Sequence, residues 1–190
     1  DVTGPFAQAS GDPSDNLVLK AQRALAESMG GLKGGHFLLD KRIPVAAGIG
    51  GGSADAAAAL RLLARLNDTA IDDARLMLAA LRTGADVPVC LTSRACIMTG
   101  VGERLSPPLH LPQLHAVLVN PRVPLSTREV FAAYAVHPAT GAPLPHEVPR
   151  DLSALIAFLR ANGNDLTDAA ISCAPVVSEV LEALGALPGA

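Results

Sequence analysis

The apolar positions of this chain change period several times, and each change marks an element. Over residues 17–29, Leu17, Ala21, Ala24, Leu25 and Met29 recur at helical spacing. Ser14 or Asp15 stands ready to cap that helix, and Gly30-Gly31 to end it. From Phe37 the period becomes two, so Phe37, Leu39, Lys41 and Ile43 share one side of a strand. A glycine-rich run follows, then a helix capped by Ser53 that reaches about Leu66, with Asn67 at its end. Asp72 or Asp73 opens another helix, which closes near Arg82-Thr83-Gly84.

Further along, Asp86-Val87-Pro88 reads as part of a loop, and residues 94–99 and 103–106 as a hairpin around Gly100-Val101-Gly102. The proline-rich stretch Pro107 to Pro112 is a linker. Beyond it, Leu114 to Val119 reads as a strand opening a second domain. Ser126-Thr127-Arg128-Glu129 is a capping box ahead of an apolar helix from Val130 to Tyr134. Four prolines make residues 136–149 a loop. Asp151 caps a helix to Ala161, stopped by Asn162-Gly163, and Val176 to Leu184 forms the last helix. Helices and strands without regular alternation predict an α+β fold, and no internal repeat is present.

The run from Pro44 to Ala54 changes the picture most. Pro44, Val45, Ala46, Ala47, Gly48, Ile49, Gly50, Gly51, Gly52, Ser53 and Ala54 lead directly into an alanine-rich helix. Glycines let a backbone approach a ligand closely. The first turn of the next helix offers unpaired N–H groups and the positive end of its dipole. The combination predicts a phosphate site. A flexible linker is the plainer reading, but a linker needs neither Ser53 as a cap nor a helix behind it. The loop is not a Walker A loop, since no lysine lies in it. Nor is it the dinucleotide fingerprint, since Ser53 stands where glycine or alanine is required.

Composition narrows the class. Hydrophobic residues make up 49% of the 190, enough for a core, while aromatics are only 3%, so that core is packed from Leu, Val and Ala. The net charge of −3 and the lack of a basic block argue against nucleic acid. Cys90, Cys96 and Cys173 form no C-x-x-C pair and are odd in number, which fits reduced thiols in the cytoplasm. The five histidines, His36, His110, His115, His137 and His146, show no metal-binding spacing. No apolar run is long enough for a membrane span, and no signal peptide opens the chain.

The motif P-x-x-x-G-I-G-G-G-S-A-D-A-A resembles the central motif of the GHMP kinases, which wraps the phosphates of ATP. Gly84-Ala85-Asp86-Val87-Pro88 resembles the G-A-D-V-P motif of one branch, the 4-diphosphocytidyl-2-C-methyl-D-erythritol kinases. Gly4-Pro5-Phe6-Ala7 with Asn16-Leu17-Val18, Val119-Asn120-Pro121 with Ser126-Thr127 and Val130-Phe131, and Asn164-Asp165-Leu166 resemble other segments of that branch, in the same order. Ala54 departs mildly, standing where a second serine is common. The resemblance implies a GHMP kinase fold. An α/β domain like domain 2 of ribosomal protein S5 would span residues 1–112, and a ferredoxin-like domain residues 113–190, both incomplete. Neither the early strand with the family's catalytic lysine nor its late glycine-rich motif is in the chain. The 190 residues therefore read as the middle of a longer enzyme, and alone are expected to be weak or inactive.

Phosphoryl transfer needs a phosphate cradle, charge neutralisation and a group that takes the nucleophile's proton. Gly48 to Ser53 supplies the first. Asp86, with a proline restricting the chain just after it, either closes a turn or caps a helix, or it is the base. The resemblance implies the base. It also implies ATP with Mg²⁺, and a cytidine-diphosphate-linked polyol as acceptor in non-mevalonate isoprenoid synthesis, by a monomer or weak dimer. Lys20, Lys33 and Lys41 read as solvated surface charges. Ser53 is a cap and a possible phosphate or Mg²⁺ ligand. Asp55 is expected to face away from the loop, where it would repel phosphate. Asn164 and Asp165 shape a turn, to which the resemblance adds a structural or substrate-side role. Asn120-Pro121 and Ser126-Thr127 either approach the cytidine or, for Ser126, cap a helix. Two alternatives remain open: a GHMP kinase acting on homoserine or a sugar, and an ATP-binding fragment without catalysis.

Overall fold

The computed structural model describes residues 1–45, 47–136 and 147–187. The chain divides into two units, Asp1–Leu109 and His110–Ala190.

In the first unit, β1 (Val2–Thr3) and β2 (Leu39–Asp40) pair in parallel. A parallel pair needs a crossover, and α1 (Leu17–Met29) provides it. Asn16 caps α1, its side chain accepting from the Val18 N–H. The expected caps, Ser14 and Asp15, instead lie in a short 3₁₀ turn, Pro13–Asp15. Gly30 closes α1 in the left-handed region, as its position predicts. The strand expected over residues 37–43 shrinks to β2. Bonds from Asp1 N to Phe37 O, Leu39 N to Asp1 O and Lys41 N to Thr3 O extend the pairing only over 37–41.

Then come α2 (Gly51–Leu66), α3 (Ala74–Thr83) and α4 (Val87–Thr92). Their apolar stripes meet those of α1 in one core. Ala56, Ala57, Leu60, Leu63 and Ala64 of α2 pack there with Ala21 and Leu25 of α1, Leu76 and Ala80 of α3, and Val87 and Leu91 of α4. Alanine on three of these helices lets their axes come close, so packing proceeds without aromatic volume. Asn67, at the end of α2, exchanges hydrogen bonds with the backbone of Lys33 in both directions, at 2.8 and 3.0 Å. The hairpin β3 (Met98–Thr99) and β4 (Arg104–Leu105) completes the unit.

Two sequence expectations fail here for local reasons. Ser53 does not cap α2. Gly50, at φ 69°, occupies the cap position and the helix starts at Gly51, so Ser53 is its third residue. Asp86-Val87-Pro88 is not a loop but the head of α4, since proline in the first turn of a helix sacrifices no hydrogen bond.

The second unit holds α5 (Thr127–Val136), α6 (Leu152–Asn162), α7 (Thr167–Cys173) and α8 (Val176–Gly185). Helix α5 packs on α7, and α7 on α8. Asp151 caps α6 as expected, accepting from Ala154 N at 3.0 Å. Helix α7 was not anticipated, because its seven residues are too short for a periodic pattern. Leu114 to Val119 does not form the expected strand. No described segment pairs with it, and Val117 and Leu118 are each 78% exposed. Most of the proline-rich loop expected over 136–149 lies outside the described residues. Among the described residues no helix is long and apolar enough to cross a membrane.

Asp73 caps α3 and gives this fold an acid-sensitive point. Arg75's side chain, and then its backbone N–H, hold the Asp73 carboxyl down from 3.8 to about 2. A depressed carboxylate stabilises the folded state fully above its unfolded pKa, and that contribution fades as pH falls toward the folded value. Asp73→Asn keeps a capping oxygen but loses the charge. The stability difference between wild type and Asp73→Asn, from urea midpoints, should be constant above pH ~5 and shrink between pH ~4 and ~2.

Candidate functional site

The candidate site is built on the entry to α2. Gly48 and Gly50 lie at φ 74° and 69°, a region that side-chain-bearing residues avoid. Around Gly48, Gly50 and Gly51, an added Cβ would meet no atom of the described residues within 4 Å beyond the adjoining backbone. Internal packing therefore does not demand glycine at these three positions. Backbone conformation demands it at Gly48 and Gly50, and the space before the loop is open. The first intrahelical bond there is Ala54 N to Gly50 O, at 2.9 Å. The N–H groups of Gly51, Gly52 and Ser53 thus have no carbonyl within the helix. Pro44, Val45, Gly48 and Ile49 are exposed, Ala47 half-buried, and Ala46 lies outside the described residues. Such a loop can take an anion on bare amides reinforced by the α2 dipole.

Asp86 stands exposed at the head of α4, in the cap position, yet its side chain makes no capping bond. It is thus a carboxylate left uncommitted by its own helix. Two features that the sequence did not reveal hold it in place. One is Arg61 of α2, whose Nη1 donates to Cys90 O at 2.8 Å and Leu91 O at 3.3 Å. These are carbonyls of the last turns of α4, where a cation meets the negative end of the dipole. The helix that follows the glycine loop is thereby tied to the helix that carries Asp86. The other is Gly102, buried at φ 101° in the hairpin turn, whose added Cβ would overlap the Ala85 carbonyl. The hairpin therefore braces the residue before Asp86 by direct backbone contact. Hydrogen bonds from its own and the Val101 backbone N–H groups hold Glu103's carboxyl below the usual range and stiffen that turn. In sequence, Gly102 reads only as a hairpin-turn residue, and nothing singles out Arg61.

Lys41 also differs from expectation. Lys41 is not a solvated charge. Its Nζ donates to Asp55 Oδ2 at 2.6 Å, and its side chain is 16% exposed. Asn164 does shape a turn, its side chain accepting from Leu166 N at 3.0 Å. Asn120 does the same toward Arg122 N. A pocket of about 560 Å³ lies between α1 and the β1–β2 pair, lined in part by Asn16, Gln22, His36 and Phe37. It takes in neither the glycine loop nor Asp86. A phosphate held on the amides of an exposed loop needs no deep cavity, so the pocket does not relocate the site. Among the described residues no three or more His, Cys, Asp or Glu side chains converge as a metal cluster.

An amide-lined glycine turn feeding a packed helix, with a braced and uncommitted carboxylate on the neighbouring helix, is an arrangement that can seat an anion such as a phosphate. The GHMP kinases N terminal domain matches residues 16–94. A 4-diphosphocytidyl-2-C-methyl-D-erythritol kinase of Rhodopseudomonas palustris strain CGA009 is 56% identical, covering 98% of this chain and 65% of its own length. That of strain BisB5 is 54% identical, covering 99% of this chain and 67% of its own length. The crystal structure of a 4-(cytidine 5'-diphospho)-2C-methyl-D-erythritol kinase superposes with a TM-score of 0.71 at 35% identity, covering 97% of this chain and 66% of that one. The chain belongs to the 4-diphosphocytidyl-2-C-methyl-D-erythritol kinase family of GHMP kinases. It spans about two thirds of the length of the curated relatives it matches.

The geometry around Asp86 makes two predictions. Gly102→Ala forces a side chain into a left-handed conformation against backbone, so thermal or urea unfolding should show a loss of about 2 kcal/mol or more. Cys90 is half-buried, and burial pushes its thiol pKa up, with the negative charge of Asp86 adding to the shift and Arg61 opposing it. The exposed Cys173 should therefore react with iodoacetamide several-fold faster than Cys90 at pH ~8. Mass spectrometry of the two peptides measures the ratio.

Proposed function

We propose that the full-length protein carrying this chain is an ATP-dependent kinase. Its acceptor is the 2-hydroxyl of 4-diphosphocytidyl-2-C-methyl-D-erythritol, a step in non-mevalonate isoprenoid synthesis. The observation that carries the reading is the open, positive-φ glycine turn ahead of α2. The names of the relatives support the choice of acceptor.

In this reading residues 44–54 hold the triphosphate. The first-turn amides of α2 bond the phosphate oxygens, and the helix dipole offsets their charge. Asp86 takes the proton of the 2-hydroxyl as that oxygen attacks the γ-phosphorus. The bond from the γ-phosphorus to the β,γ-bridging oxygen breaks, and ADP leaves. An uncapped carboxylate suits this role, because no helix N–H competes for its lone pairs. The role of Arg61 and Gly102 is to hold α4 and its head still, since a base misplaced by an ångström loses much of its effect.

ATP would bring Mg²⁺, whose charge would offset the charge developing on the phosphates. The Ser53 hydroxyl, which has no hydrogen-bond partner among the described residues, is the side chain this loop offers it. Reduced cysteines and small soluble substrates fit a cytoplasmic enzyme, working as a monomer or weak dimer.

Asp86→Asn in the full-length protein should lower kcat by at least ~100-fold and leave the KM for ATP within a few-fold. An unchanged kcat would remove Asp86 from the mechanism. A panel of acceptors tests the substrate, and turnover of homoserine or a sugar in place of the cytidylyl polyol would sink the assignment.

A further inference from the structure

The glycine loop is bracketed by one ion pair. Lys41 lies where the β1–β2 pairing ends, and its backbone is fixed on both sides. Its N–H donates to Thr3 O at 2.7 Å, and its carbonyl accepts from Phe6 N at 3.1 Å. From that anchor its Nζ reaches Asp55, the fifth residue of α2, at 2.6 Å. The two partners are fourteen positions apart, and everything between them is the loop and the first turn of α2. The side chains are 16% and 32% exposed. The other ion pairs among the described residues are of a different kind. Arg42–Asp40, Arg75–Asp73 and Arg104–Glu103 join near neighbours in sequence, and His36–Asp1 and Arg82–Glu27 join exposed side chains.

An acid one turn inside the helix that receives a triphosphate is a liability. Its charge opposes the anion and cancels part of the positive potential at the helix start. Lys41 removes that liability by pairing with it, and at the same time ties the two ends of the loop together. A loop held before binding loses less conformational entropy when the ligand arrives.

We propose that Lys41 is a positioning residue for the nucleotide. It neutralises Asp55 and holds the loop ready, without bonding the phosphates itself. The proposal rests on the reading that this loop binds ATP.

A charge cycle on the full-length protein tests it, with the Kd for ATP measured calorimetrically in wild type, Lys41→Met, Asp55→Asn and the double variant. Lys41→Met leaves Asp55 uncompensated and should weaken ATP about tenfold. The double variant lacks both charges and should return to within about threefold of wild type. Lys41→Arg should also stay within that range, because it keeps the charge. A double variant as weak as Lys41→Met would overturn the proposal, since Lys41 would then be bonding phosphate directly. A Lys41→Met variant that binds as tightly as wild type would overturn it equally. Should Lys41→Met not fold, Asp55→Asn carries the test. It should bind ATP within about threefold of wild type or more tightly, and a tenfold loss would give Asp55 a direct role and end the proposal. Wild type without affinity for ATP overturns the nucleotide reading itself. A flat cycle in a wild type that does bind ATP overturns only the role of the pair.

Discussion

Helix α2 is the constraint on which the first unit depends. One face, from Ala56 to Ala64, is buried against α1, α3 and α4, while its first turn stays at the surface. Apolar burial of that face against three helices fixes the axis, so the free amides at its start point in one fixed direction. A glycine loop attached to a loosely packed helix would offer the same amides at a higher entropic cost to any ligand. The alanine content of α2 serves this packing, since a larger side chain at Ala57 or Ala56 would push the neighbouring helices apart.

From that helix the rest of the candidate site follows by direct contacts. Arg61 reaches from the middle of α2 to the end of α4, so the helix beginning at Asp86 is registered against the helix behind the loop. The hairpin presses Gly102 onto Ala85 from outside. At the other end, Lys41 joins the strand exit to Asp55. The loop and the proposed base are therefore each attached to α2 through a charged side chain that is itself partly buried. Charged groups in such positions are weak sources of stability, and here they connect elements that apolar packing alone would leave free to slide.

The second unit contributes less that is specific. It buries few side chains, among them Val130 and Leu155 of its helices and Ala174 between α7 and α8. Asx turns at Asn120 and Asn164 shape its chain, whereas in sequence Asn120 reads as a residue near the cytidine and Asn164 as a turn residue. The likeness to the solved kinase extends over 97% of the chain, so this half shares in the family fold even though its described elements are helical.

Much of this was legible in the order of the residues. Helical spacing found α1, start and stop residues marked α2, α3, α5 and α6, and α8 was expected too, because such signals are local in sequence. Glycine chemistry found the positive-φ turn ahead of α2, because such conformations are written into composition. The motif order found the family. What sequence by itself could not determine were the contacts made across space. Ser53 and Gly50 both suit a helix cap, and only the path of the chain into α2 chose glycine. Proline after Asp86 suits a loop or a first helical turn equally, and burial of Val87 and Leu91 chose the helix. Leu114 to Val119 has the composition of a strand, but a strand exists only with a partner. Lys41, Arg61 and Gly102 look like a surface charge, a helix cation and a turn residue until the fold brings Asp55, the end of α4 and the Ala85 carbonyl beside them. Local conformation depends on the residue and its neighbours and so can be read along the chain, whereas charge pairing and backbone contact depend on distances that only packing creates.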